Sequence, residues 1–98
     1  MPIHLPKLPV IIAGDFNATA DNEVIKILDS TFTRTCIKDC GFTIPEKNPN
    51  KTIDYIAFKP AGSFTVLHHE VLRENYASDH LPVLAMLKLA RVASLSLP

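Results

Sequence analysis

Val10-Ile11-Ile12-Ala13-Gly14-Asp15-Phe16-Asn17 is the stretch on which the reading of this chain turns. Its first four residues form a short apolar run with β-branched weight, which reads as a strand. The run has no polar alternation, so the strand is expected to be central and covered on both faces. Gly14 is expected to end it. Asp15, Phe16, Asn17 and Ala18 then follow as a loop past its C-terminal end. Such loops commonly carry chemistry on a rigid scaffold.

Working outward, three prolines (Pro2, Pro6 and Pro9) keep the opening out of helix interiors and ladder centres. On the other side, Asp21 or Asn22 can cap a helix running to about Ser30. Val24, Ile27 and Leu28 are placed on its apolar face, with Ile25 beside them, and Lys26 and Asp29 face water. Thr31 to Thr35 reads as extended. Glu46 to Lys51, with two Asn, two Lys and Pro49, reads as a loop. Further strands are expected over Thr52 to Phe58, Phe64 to Leu72 and Val83 to Leu89. A turn at Lys59-Pro60-Ala61-Gly62 and a loop from Glu74 to His80 separate them. Arg91 to Pro98 is a loosely held tail. One strand, one helix and then mostly strands imply an α/β fold: a mixed, mostly antiparallel sheet with one main helix. A single helix cannot cover both faces of such a sheet, so Ile11, Ile56 and Val83 need apolar cover from elsewhere.

The 98 residues suffice for one domain, 1–98, and not for two. Ten basic against ten acidic side chains give no bulk attraction to nucleic acid or to an anionic membrane. No basic stripe interleaved with aromatics marks a nucleic-acid module. Cys36 and Cys40 do not make a disulfide framework, and no histidine lies near them in sequence to suggest zinc; they read as reduced thiols. No signal peptide and no run of about 20 apolar residues is seen, so a soluble, cytoplasmic protein without a membrane span is expected.

Three polar clusters each adjoin a strand: Gly14-Asp15-Phe16-Asn17, Thr52-Ile53-Asp54-Tyr55-Ile56 and Ser78-Asp79-His80-Leu81-Pro82-Val83. Asp54 lies inside an apolar strand, where an unpaired carboxylate is costly; an imidazole N–H is its natural partner. Carboxylates suit Mg2+ or Mn2+, which take oxygen ligands in octahedral geometry. Asn17 can donate to a phosphate oxygen. A histidine held by an aspartate can move a proton or stabilise developing charge. Taken singly, the same residues serve equally well as surface acids, caps or turn formers.

In this order, the three clusters resemble the Gly-Asp-Phe-Asn segment, the Ile-Asp-Tyr-Ile strand and the terminal Ser-Asp-His-x-Pro-Val motif of the endonuclease/exonuclease/phosphatase superfamily. That group includes exonuclease III-like and DNase I-like nucleases, inositol polyphosphate phosphatases, sphingomyelinases and deadenylases. The resemblance covers residues 10–89, leaving 90–98 as a tail. It implies the C-terminal half of the two-sheet α/β sandwich of DNase I-like phosphoesterases. It also implies divalent-metal-dependent hydrolysis of a phosphate ester whose class, whether DNA, RNA, lipid head group or inositol phosphate, stays open. By resemblance Asp15 activates the attacking water and Asn17 steadies the phosphate. Asp54 orients the catalytic histidine, and His80 contacts the scissile phosphate. Asp79 and Asp15 are the implied metal residues, and Mg2+ or Mn2+ the implied cofactor. Ser78 and Pro82 shape the loop, and Tyr55 belongs to the core.

Family enzymes are more than twice as long, and their first half supplies a metal-binding glutamate. Glu23 and Glu46 follow the Gly-Asp-Phe-Asn motif and cannot be that residue by order. Two partner arrangements are therefore expected: a homodimer across the face left by the missing half, or an N-terminal half from another chain. The competing reading is a non-catalytic truncated remnant that self-associates and at most binds phosphate or a divalent ion.

Overall fold

A computed structural model describes residues 8–73 and 78–90. The elements run β1 (Val10–Asp15), α1 (Glu23–Asp29), β2 (Thr33–Arg34), β3 (Asp54–Lys59), a short 3-10 turn (Ala61–Ser63), β4 (Phe64–Val71) and β5 (Val83–Leu89). They form two sheets, one ordered β1-β3-β2 and the other β4-β5. Every described strand pairing is antiparallel. The two-sheet, mostly antiparallel α/β arrangement with one main helix is thus present.

β3 is the strand around which the first sheet is built, because it pairs on both edges. Ile53, Tyr55 and Ala57 are buried, while Asp54 and Ile56 on the opposite face are half-buried. That is the period-2 alternation of a sheet with one covered face. Phe58 breaks the alternation at only 2% exposure. It meets Phe64 edge to face at 5.3 Å between ring centroids, which ties the end of β3 to the start of β4. Tyr55 is core, as the sequence implied, and the carbonyls of Ala18 and Thr52 share its single hydroxyl proton, both at 2.9 Å from the oxygen.

β1 departs from expectation. It continues through Gly14 to Asp15, and among the described residues it is an edge strand paired only to β3. It is not buried on both faces: Val10 is 40% and Ile11 51% exposed. The continuous apolar run signalled burial, but the described chain places no layer over its outer face. Leu67, Leu84, Met86 and Leu89 on the second sheet are exposed as well. Ile56 and Val83 are half-buried.

α1 begins where its cap directs: the Asn22 side chain accepts from the Val24 N–H at 2.9 Å. Its buried residues are Ile25 and Leu28, three apart, which pack with Tyr55, Ala57 and Ala18. Val24 and Ile27 were expected on that face but lie exposed. The helix has only two turns, so it touches the sheet along a narrow line that the i, i+3 pair fills. Arg34 on β2 clasps Asp29 at the helix end through two hydrogen bonds of 2.8 and 2.9 Å. That contact holds the guanidinium above its ordinary range. Among the described residues no helix is long and apolar enough to cross a membrane.

The expectation of reduced thiols is overturned. Cys36 and Cys40 are joined in a disulfide, with their Cα atoms 5.7 Å apart. The segment between them is not helical, and a bend in the chain brings the sulfurs together. The tail at 91–98 and part of the loop before His80, residues 74–77, lie outside the described residues.

Candidate active site

The β1–β3 register sets Asp15 directly opposite Asp54 at one end of the sheet. Cross-strand partners project on the same face, and like charges in that position repel. His80 relieves the conflict. Its Nδ1 lies 2.9 and 3.1 Å from the two Asp54 carboxylate oxygens, and its Nε2 lies 3.7 Å from Asp15. An imidazolium there stands between the two carboxylates. Asp79 adds a third carboxylate 3.9 Å from Nε2, on a side chain 86% exposed.

The loop that delivers His80 is held at several points. The His80 N–H donates to the Ser78 hydroxyl at 3.1 Å, which gives Ser78 a shaping role. The next N–H, of Leu81, donates to the Thr43 carbonyl at 2.8 Å, and the Leu81 side chain is buried. The Leu72 N–H donates to the Pro82 carbonyl at 2.8 Å, so the loop closes at the β4–β5 end. Thr43 is fully buried, and its hydroxyl accepts from the Ile53 N–H, one residue before Asp54. Thr43 thereby links the His80 loop to the Asp54 strand. Sequence reading gave no weight to Thr43, because nothing local distinguishes it from the other threonines.

Asn17 sits two residues past Asp15 in a left-handed conformation, φ 52°, which asparagine tolerates better than most side chains. Its backbone N–H donates to the Asp15 carboxylate at 2.7 Å. The Phe16 N–H between them donates to the Ile53 carbonyl. The bend after β1 is therefore pinned to the strand that carries Asp54. Asp15, Asp54, Asp79 and His80 come from three separate parts of the chain and converge. Asn17 is fixed beside them through its backbone.

The His80 pKa is raised above its ordinary value of 6.5. The hydrogen bond that the ring donates to Asp54 is the main cause. Partial burial opposes it, and the charges of Asp54, Asp15 and Asp79 reinforce it. The raised value means that the folded state favours the imidazolium. This contribution to stability is full below the unfolded pKa and is lost as pH rises through the folded one. An NMR titration of the His80 ring should give a midpoint above 6.5 in the native chain and a lower one in Asp54→Asn. A native midpoint below 6.5 would show that burial outweighs the carboxylates.

Asp15, Asp54 and His80 offer ligand atoms that all lie within 4.8 Å of one another, with Asp15 exposed and the other two half-buried. A cleft of about 380 Å³ opens beside them, lined by Asp54, His80, Gly14, Ser78 and Pro82 among others. This is a polar site at a sheet end that can orient a proton donor and gather negative charge.

Comparison with curated proteins and with solved structures gives no significant match. The family model described as Endonuclease/Exonuclease/phosphatase family matches residues 2–80. That span takes in all three polar clusters through His80, and the chain belongs to the endonuclease/exonuclease/phosphatase family.

Proposed function

We propose that this chain carries part of the site of a divalent-metal-dependent phosphoesterase. The observation that carries the reading is the hydrogen bond of His80 Nδ1 to Asp54, which leaves Nε2 as a directed donor beside Asp15. In this reading Asp54 fixes the ring, and the imidazolium donates from Nε2 to a phosphate oxygen as negative charge develops. Asp15 accepts the proton of the attacking water, and the Asn17 amide steadies the phosphate.

Charge argues for a cation at this place. Three carboxylates outnumber the single imidazolium, so an anionic phosphate ester is repelled until a cation offsets them. The donor chemistry fits Mg2+ or Mn2+, since Asp15 and Asp79 offer hard carboxylate oxygens while Asp54 is committed to His80. When bound, such an ion polarises phosphate oxygens as a Lewis acid.

Two protein carboxylates make a weak octahedral set, and the proposal therefore includes a partner. The apolar outer side of β1 and its unpaired edge, among the described residues, suit a covering segment that brings a further carboxylate. The resemblance points to an N-terminal half of the same fold in that role, with this chain as the C-terminal half of a DNase I-like sandwich. The same apolar surface also favours the non-catalytic reading, in which a second copy covers it.

A turnover assay separates these readings. With Mn2+ and a generic aryl phosphodiester, the native chain should turn over slowly, EDTA should stop it, and His80→Ala should fall to background. Equal rates in the native chain and His80→Ala would sink catalysis by this chain alone. Equal rates again after adding an N-terminal half of the same fold would sink the catalytic reading in favour of the self-associating remnant.

A further inference from the structure

A second cleft, which Asp54, Tyr55 and Ile56 of β3 also line, holds a second cluster, built from Cys36, Cys40 and His69. Both sulfurs and a ring nitrogen of His69 lie within 4.8 Å of one another. The residues come from a loop and from β4, separated by 29 positions at the closest.

The surroundings hold the imidazole as a ligand-ready base. Thr35, only 7% exposed, places its hydroxyl 2.7 Å from His69 Nδ1. When Nδ1–H donates to that oxygen, the lone pair resides on Nε2. This is the outer-shell hydrogen bond that orients metal-binding histidines. Burial, with a smaller contribution from neighbouring His68, pushes the His69 pKa down.

The loop is also pressed onto the strand that carries the histidine. Gly41 follows Cys40 with φ 90°, and a Cβ added there would stand 3.1 Å from Val71 Cγ2. Val71 lies two residues beyond His69 on β4, so both project on one face. The glycine permits the close approach that brings the sulfurs to the ring.

From this geometry we infer that, with the disulfide reduced, Cys36, Cys40 and His69 form a redox-gated site for a thiophilic divalent cation of the zinc class. The cysteines are spaced Cys-x3-Cys, within the range used by zinc sites. Tetrahedral zinc with Zn–S bonds of about 2.3 Å needs the sulfurs roughly 3.8 Å apart. Rotation about the two Cα–Cβ bonds supplies that separation once the disulfide opens. Three protein donors then bind the ion, and water takes the fourth position. In the gating step a dithiol reductant closes to its own disulfide and transfers two electrons and two protons to the protein disulfide. The ion then displaces the two thiol protons. The site shares no residue with the Asp15–His80 cluster and does not depend on the phosphoesterase reading.

Cobalt titration tests the inference. After reduction with a water-soluble phosphine, the full chain should bind Co2+ with a sulfur-dependent signal that saturates at one equivalent. Thiolate-to-cobalt charge-transfer absorption and intense tetrahedral d–d bands should appear, and Zn2+ should abolish both. The Asp15–His80 cluster has no sulfur and cannot give the charge-transfer band. The oxidised chain should show neither signal, and His69→Ala should weaken binding at least tenfold. In the reduced native chain, Zn2+ should also shift the His69 ring nitrogen resonances. A reduced chain without charge-transfer absorption, cobalt bound as tightly by His69→Ala, or ring resonances unmoved by Zn2+ would each overturn the assignment.

Discussion

Replacing Asp54 by asparagine is expected to cut metal-dependent turnover roughly a thousandfold while leaving the fold in place. Asparagine keeps the shape and can still meet the ring. It removes the charge that holds Nδ1 protonated and the imidazolium in being. The ring can then present a lone pair instead of a proton at Nε2, and a developing phosphate charge loses its donor. The loss should fall on kcat more than on KM, because the interaction strengthens only as charge develops. The variant should also depart from the native pH profile on its alkaline side. Steady-state kinetics across pH check this. A variant with native kcat would show that His80 acts without Asp54, and would reduce their hydrogen bond to a fold contact.

Truncating Phe58 to alanine should destabilise the domain by about 3–5 kcal/mol. The ring is 2% exposed, on the strand that pairs with both β1 and β2, and it packs edge to face on Phe64 of the second sheet. Its loss opens a cavity where the two sheets meet. Domains of this size are held by only about 5–15 kcal/mol, so most of the molecules should be close to unfolding under mild denaturant. Urea titration followed by circular dichroism measures the change. A loss below about 1 kcal/mol would show that the sheets are held together elsewhere.

The two predictions depend on different kinds of information. Tyr55 could be placed in the core from the sequence because a strand's period-2 pattern is local and survives without neighbours. Phe58 is buried against that pattern, and only its packing on Phe64 decides it. The bounds of β5 were legible for the same local reason as Tyr55, and the helix cap was narrowed to Asp21 or Asn22, of which the structure uses Asn22: Pro82 and an Asx side chain act over one turn of chain. Asp54 was singled out because a carboxylate inside an apolar strand needs a partner, whatever the fold. The resemblance of three ordered motifs then supplied the partner's identity.

The errors have a common origin. β1 was placed at the centre of a sheet because an unbroken apolar run signals burial, yet apolarity states only that cover is needed and not which segment supplies it. Ile25 displaced Val24 and Ile27 from the packed side of α1 because the sheet's position, not the helix's own periodicity, chose the line of contact. The cysteines read as free thiols because the bend that brings them together, and the histidine beside them, depend on β4 lying against their loop.

By itself, then, the sequence determined the element order, the strand-borne carboxylate of Asp54 and the family. Each of these is written in spacings of a few residues, within the reach of backbone sterics and side-chain alternation. Only the tertiary structure decided that Asp15 faces Asp54, that His80 stands between them, and that Cys36, Cys40 and His69 share a cleft. Those juxtapositions are set by strand register and loop closure, which depend on how distant apolar faces find one another.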